Sequence, residues 1–164
     1  HFTAIRDKPE TSVFDKRCVA SPVVSGDLVL GSCGSGGGGN ILVAVRAGKN
    51  PVEVFRVRSN ANYVPTPIVY EGHGYLFGDK GVVSCVNLKD GKSVWRERLG
   101  TGFSGSPVCV NGNLYCMDEE GKMLVIAAEP QFKQMGEVDL GEASRSTPAV
   151  ANGLMLIHQK ILKN

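Results

Sequence analysis

The chain has 164 residues, with 18 Lys and Arg against 16 Asp and Glu, a formal net charge of +2. That balance excludes a strong electrostatic pull toward nucleic acid or an anionic membrane surface. A composition 42% apolar and 21% charged belongs to a globular domain with its own core, not to a disordered segment. No apolar run approaches the ~18 residues of a membrane-spanning helix. The sequence opens at His1 and not Met, so a fragment or processed product is expected, and the missing targeting segment carries no information.

The candidate elements are all strands. In chain order they cover residues 23–30, 41–45, 52–57, 68–77, 82–88, 94–99, 114–117 and 123–127. Each is rich in Val, Ile, Leu or aromatics and is bounded by turn residues. No segment sustains an i, i+3, i+4, i+7 apolar pattern over three turns, so an all-β fold is expected. Short strands with regular tight turns fit a sandwich, a barrel or a propeller.

An internal repeat separates these. Ser21-Pro22, Thr66-Pro67, Ser106-Pro107 and Thr147-Pro148 recur at spacings of 45, 40 and 41 residues. After each proline comes an apolar strand, a Gly-containing turn and a second apolar strand. In the first three units a third and a fourth strand follow, the fourth reading VEVFRV, SVWRER and MGEVDL. Four antiparallel strands per 40 to 45 residues is the unit of a β-propeller blade. Complete blades are expected at about 21–65, 66–105 and 106–146, with half-blades at 1–20 and 147–164, all within a single partial propeller domain. Pro22, Pro67, Pro107 and Pro148 are expected at the first position of the innermost strand, where a missing N–H costs least. Asn111-Gly112 and Asn152-Gly153 suit two-residue hairpin turns.

The stretch from Cys85 to Trp95, with Gly91, Lys92 and Trp95 in register, resembles the tryptophan-docking motif of pyrroloquinoline-quinone-type β-propellers. Cys85, Asn87 and Asp90 replace that motif's Ala, Asp and Thr. The first unit keeps Ala47-Gly48-Lys49 with Phe55, and the third keeps little. The ending, 141–158, is similar to the last blades of bacterial proteins of this group. The resemblance implies that Gly91, Lys92 and Trp95 are structural, the ring packing on a neighbouring blade with its N–H on a backbone carbonyl. It also favours an extracytoplasmic location, which the unpaired cysteines weigh against mildly.

Residues 2–6 and 12–16 flank the turn-like Asp7-Lys8-Pro9-Glu10 and read as a third and fourth strand. Residues 147–157 supply a first and second. Half a blade at each end predicts closure, within the chain or across a homodimer completing an eight-bladed ring, because open edges expose unpaired backbone groups.

No catalytic constellation is evident. Gly34, Gly36 and Gly39 spell a formal G-x-G-x-x-G, but a strand follows where a dinucleotide site needs a helix. A long flexible hairpin loop is expected, with a ligand-covering loop on one propeller face as the alternative. Cys18, Cys33, Cys85, Cys109 and Cys116 include no C-x-x-C, and His1, His73 and His158 do not join them, so zinc is not expected. Cys85, Cys109 and Cys116 are expected buried and reduced. His73 is placed in a hairpin turn and His158 at a strand end, both solvated. Asp118-Glu119-Glu120-Gly121 reads as turn chemistry, not a calcium loop. Arg96, Glu97 and Arg98 read as an exposed outer strand engaged in cross-strand pairing.

The sequence therefore predicts a non-catalytic propeller that binds protein partners, without a cofactor, a metal, nucleic acid or a membrane span. A carbohydrate-binding propeller would need exposed aromatics on one face, with Tyr63, Tyr70 and Tyr75 as candidates. A quinone-dependent dehydrogenase fragment would need, by the same resemblance, vicinal cysteines and a Trp floor beneath the cofactor.

Overall fold

The structure, a computed structural model, describes residues 16–35 and 39–158. It holds three four-stranded antiparallel sheets and a two-stranded one. The first runs β1 (Val23–Ser25), β2 (Leu28–Cys33), β3 (Ile41–Arg46) and β4 (Val52–Val57). The second runs β5 (Ile68–Tyr70), β6 (His73–Phe77), β7 (Val82–Asn87) and β8 (Ser93–Arg98). The third runs β9 (Val108–Val110), β10 (Asn113–Met117), β11 (Lys122–Ala127) and β12 (Gln134–Asp139). The last is β13 (Ala149–Ala151) with β14 (Leu154–Leu156). Spatial order follows chain order in every sheet, which is a stack of propeller blades.

The apolar runs 23–30 and 68–77 each divide into two strands at a two-residue turn. Glu71-Gly72, Asn111-Gly112 and Asn152-Gly153 have positive φ at both positions, between 45° and 75°. That geometry matches the twist of the flanking strands. It moves His73 out of the turn and into the first position of β6, opposite Tyr70. The prolines stand one residue ahead of each inner strand, not within it, so β1, β5, β9 and β13 keep every N–H. Each complete blade carries a bulge on its outer strand, where Val54, Val94 and Met135 are the extra residues.

Burial explains why the second sheet reads as nearly continuous apolar sequence. Successive side chains alternate between its two faces. Leu76 and Val86 face the first blade and pack with Leu30, Leu42, Ala44, Phe55 and Val57. Tyr75, Phe77, Val83 and Cys85 face the third blade and pack with Leu114, Cys116, Leu124 and Ile126. Phe103, from the linker, joins this second cluster and meets Phe77 edge-on at 5.2 Å. The end of the stack is different. All of β12 is exposed, and Leu154 and Leu156 of β14 are 65% and 60% exposed. The strands expected at 2–6 and 12–16, and the closure they would make, lie outside the described residues.

Candidate functional site

The four Ser/Thr-Pro steps meet near the entry of the inner strands. Ser21 N–H donates to Thr66 Oγ1 at 3.1 Å, Thr66 N–H to Ser106 Oγ at 2.9 Å, and Ser106 N–H to Thr147 Oγ1 at 2.9 Å. One hydrogen bond per blade boundary forms a ladder linking all four sheets. A hydroxyl before each proline supplies the acceptor, and the proline fixes the chain as it turns into the strand.

The turn after β7 is closed by its own side chains. Asn87 Oδ1 accepts from Lys89 N–H at 2.9 Å and Asp90 Oδ1 from Lys92 N–H at 3.1 Å. The Lys92 backbone N–H, followed by its side chain, holds the Asp90 carboxyl below the usual range. Gly91 has φ +70°, and a β-carbon there would overlap the Phe55 ring of the first blade. One blade on, Trp95 occupies the position of Phe55, each directly after the bulged residue of its outer strand. Trp95 Nε1 donates to Glu129 O at 3.0 Å, and its ring meets Phe132 edge-on at 5.2 Å. Trp95 is half-buried, because β8 is an outer strand with one face in solvent. In the third blade Gly136 fills this position, so no aromatic ring reaches onward to β13 and β14.

None of the five cysteines, all among the described residues, forms a disulfide. Cys109 pairs with Leu114 and not Cys116, as a two-residue Asn111-Gly112 turn requires. It is half-buried, short of the full burial expected, because β9 lines the inner end of the blade. Burial pushes the Cys85 thiol up to about 11 and raises those of Cys109 and Cys116. None of these three is an activated nucleophile.

The glycine run is tied down at both described ends. Gly34 is buried and exchanges backbone hydrogen bonds with Arg17, at 3.1 and 2.9 Å. Any side chain at Gly34 would strike Asn40 and Tyr63. Gly39 has φ +68° and its carbonyl accepts from Lys16 Nζ at 3.3 Å. Gly36 lies outside the described residues. The three tyrosines do not form an aromatic platform: Tyr75 is fully buried, Tyr63 is 7% exposed and Tyr70 is half-buried. Tyr70 and Tyr75 lie on strands of the second blade and pack toward the third, while Tyr63 lies in the linker before β5 with the Arg17 guanidinium 5.6 Å from its ring centre. No cysteines are adjacent, and Trp95 lies on an outer strand, so these residues do not fit a quinone. Among the described residues no group of three or more His, Cys, Asp or Glu gathers to hold a metal ion. No helix among them is long and apolar enough to cross a membrane.

A cleft of about 140 Å³ lies between the first two blades. Its floor is Asn40, whose Nδ2 donates to Asp79 Oδ1 at 2.9 Å and to Ala61 O at 3.3 Å. Arg58, Asn60 and Lys80 line its walls. Asn60 adopts φ +55°, uncommon for a residue with a side chain. With its side-chain amide turned so that the oxygen faces the arginine, the orientation that satisfies both groups, Asn60 accepts from Arg96 Nε at 3.1 Å and Nη1 at 3.3 Å. Arg98 Nη1 donates to Lys80 O at 2.5 Å. Arg96 and Arg98 therefore do not pair with carboxylates across the sheet, as their strand position predicted. Strand alternation turns both toward the first blade and Glu97 away. Sequence reasoning missed this cleft, because its parts come from three separate segments.

No family model matches the chain. The chain is 28% identical over 102 residues to an outer membrane protein assembly factor BamB of Burkholderia pseudomallei, covering 62% of the chain and 26% of that protein. It is 20% identical over 92 residues to BamB of Yersinia pestis, covering 56% and 23% respectively. The chain thus spans about a quarter of the length of the curated relatives it matches. Among solved structures, BamB from Moraxella catarrhalis superposes with a TM-score of 0.69 at 11% identity, over 84% of this chain and 42% of that one. A europium-containing methanol dehydrogenase superposes at 0.61 with 13% identity, over 71% and 23%. The quinohemoprotein alcohol dehydrogenase of Comamonas testosteroni reaches 0.60 with 14% identity, over 75% and 21%. The fold is accordingly that of the quinoprotein-type β-propellers.

Proposed function

We propose that this chain is part of a non-catalytic, protein-binding β-propeller that serves outer membrane protein assembly outside the cytoplasm. The observation that supports the reading is the double likeness to BamB, in sequence to two assembly factors and in structure to a third. The dehydrogenases share the fold over a smaller part of their length. The chemistry agrees with a binding role: burial raises the thiols of Cys85, Cys109 and Cys116, and the docking aromatics are spent on blade contacts. A propeller suits such a role because stacked blades hold many loops on rigid faces.

The remaining blades of the ring belong, in this reading, to a longer polypeptide. The matched stretch is 42% of the Moraxella BamB chain, which favours one long chain over the eight-bladed homodimer that the half-blades suggested. The homodimer has no support from these comparisons.

The test is competition. Immobilised outer membrane assembly machinery, stripped of its BamB, is exposed to the chain and then to Yersinia pestis BamB. Saturable binding that BamB displaces is expected. Binding that BamB leaves untouched, or no binding, would overturn the reading.

A further inference from the structure

We infer that the cleft between the first and second blades is a docking site for an acidic polypeptide segment. This rests on the protein-binding reading above and adds the partner's chemistry.

Four cations surround the cleft: Arg58 and Lys80 on its walls, Arg96 and Arg98 on the neighbouring outer strand. Several cations elsewhere meet a carboxylate while, among the described residues, Lys49, Lys89 and Lys133 do not, so the cleft is set apart by the gathering of four cations in one place. Arg46 meets Asp27 at 2.8 Å, Lys92 meets Asp90 at 3.1 Å, Lys122 meets Glu137 at 3.2 Å, and Arg56 meets Glu53. Among the described residues none of the four cleft cations has a carboxylate partner within ion-pair distance. One acid, Asp79, lines the cleft: its Oδ1 accepts from Asn40, its Oδ2 is buried without a partner, and its charge remains, so a ligand's carboxylates belong at the rim beside Arg96 and Arg98 and not at the floor.

The two guanidinium groups are also held in place. Asn60 grips Arg96 through a neutral amide oxygen, and the Lys80 carbonyl grips Arg98. A neutral acceptor orients a guanidinium without cancelling its charge, and leaves other N–H groups for a ligand. Such a fork matches a carboxylate with two parallel hydrogen bonds. Fixing the groups beforehand lowers the ordering cost of binding. Asn60 sits in a left-handed conformation to do this, which is the kind of local strain that persists where surroundings require it.

The patch fits a short acidic segment and not an extended polyanion. In the third blade the turn equivalent to Gly78–Gly81 carries Glu119 and Glu120, and β12 carries Glu137 and Asp139. A nucleic acid tracking this side of the stack would run from four cations onto four carboxylates. A peptide with a few Asp or Glu residues ends within the basic sector.

The experiment titrates fluorescein-labelled hexaglutamate into the full chain and follows anisotropy. Saturable binding that weakens as salt rises from about 10 to about 150 mM is expected, since these charges are exposed and screened. The double variant Arg96→Gln/Arg98→Gln should weaken it by roughly tenfold. Lys89→Gln, on the opposite ends of the strands, should leave it unchanged. No saturable binding, or equal binding by the double variant, overturns the site. Tighter binding of tripolyphosphate or a single-stranded DNA oligonucleotide than of hexaglutamate overturns the peptide assignment. A chain that ignores hexaglutamate yet is displaced from the assembly machinery by BamB loses this site and keeps the protein-binding reading.

Discussion

Thr66 donates its backbone N–H to the hydroxyl of Ser106 at 2.9 Å, across the boundary between the second and third blades. Ser106 in turn donates to Thr147, 41 residues further on. Each residue is donor to the next blade and acceptor from the one before. Blade spacing is thereby written into a two-residue step.

Ser106→Ala removes the acceptor for Thr66 and keeps the backbone donor to Thr147. A partly buried neutral hydrogen bond is worth about 0.5–1.5 kcal/mol, so a loss of that size is expected in urea unfolding. Ser106→Thr should restore most of it. An alanine variant as stable as the parent would show the ladder to be incidental.

Trp95 links the second blade to the third by its N–H and by its ring. Trp95→Ala should cost about 2–3 kcal/mol, below the ~3–5 of a fully buried large aromatic, because one face is solvated. Trp95→Phe should cost less, since a ring still reaches Phe132 and only the bond to Glu129 is lost. Equal losses for the two variants would place the energy in the hydrogen bond alone.

Gly91→Ala combines a left-handed backbone with a clash against Phe55. Gly26→Ala has a similar φ, +58°, and open space around it. The first should cost more than the second, with Gly26→Ala giving the backbone part of roughly 1 kcal/mol. Chemical denaturation of both separates the two effects. Equal losses would mean that Phe55 yields freely.

Alkaline pH should weaken the fold. Burial raises Cys85 from 9.0 to about 11, and raises Cys116 and Tyr75 as well. These groups are acids whose folded pKa lies above the unfolded value. Their contribution is complete below pH 9 and is lost as pH climbs toward 11, because the unfolded chain ionises first. Melting temperature should fall across that window, and less steeply in Cys85→Ala. In the native protein at neutral pH, Cys18 should react with a thiol reagent first, since it is exposed while Cys33, Cys85 and Cys116 are buried.

The blades were legible because each depends on neighbours in sequence. Turn pairs such as Asn111-Gly112 set the register of β9 on β10, and that register fixed Leu114 opposite Cys109. The Ser/Thr-Pro period announced the stack. The cleft was not legible. Asn40, Asn60 and Asp79 are spread over two blades, and Arg96 belongs to a strand that reads as an ordinary exposed face. Only the packing of one blade on the next brings Arg96 to Asn60. A sign was present in Arg96 and Arg98 at alternate positions on one strand face, with Glu97 on the other. The burial of Tyr75 was equally hidden, since strand alternation does not say which face meets a neighbouring blade, and Tyr63 lies in a linker with no strand period to read.

The central claim is that this propeller section binds a protein through the side holding Arg58, Lys80, Arg96 and Arg98. A photo-crosslinking amino acid placed at Lys80 and, separately, at Lys89 tests it on the full chain mixed with purified outer membrane assembly machinery. Irradiation should join the chain to one component of the machinery from position 80 and not from position 89. Adducts of equal yield from both positions, or no protein adduct from position 80, would contradict it.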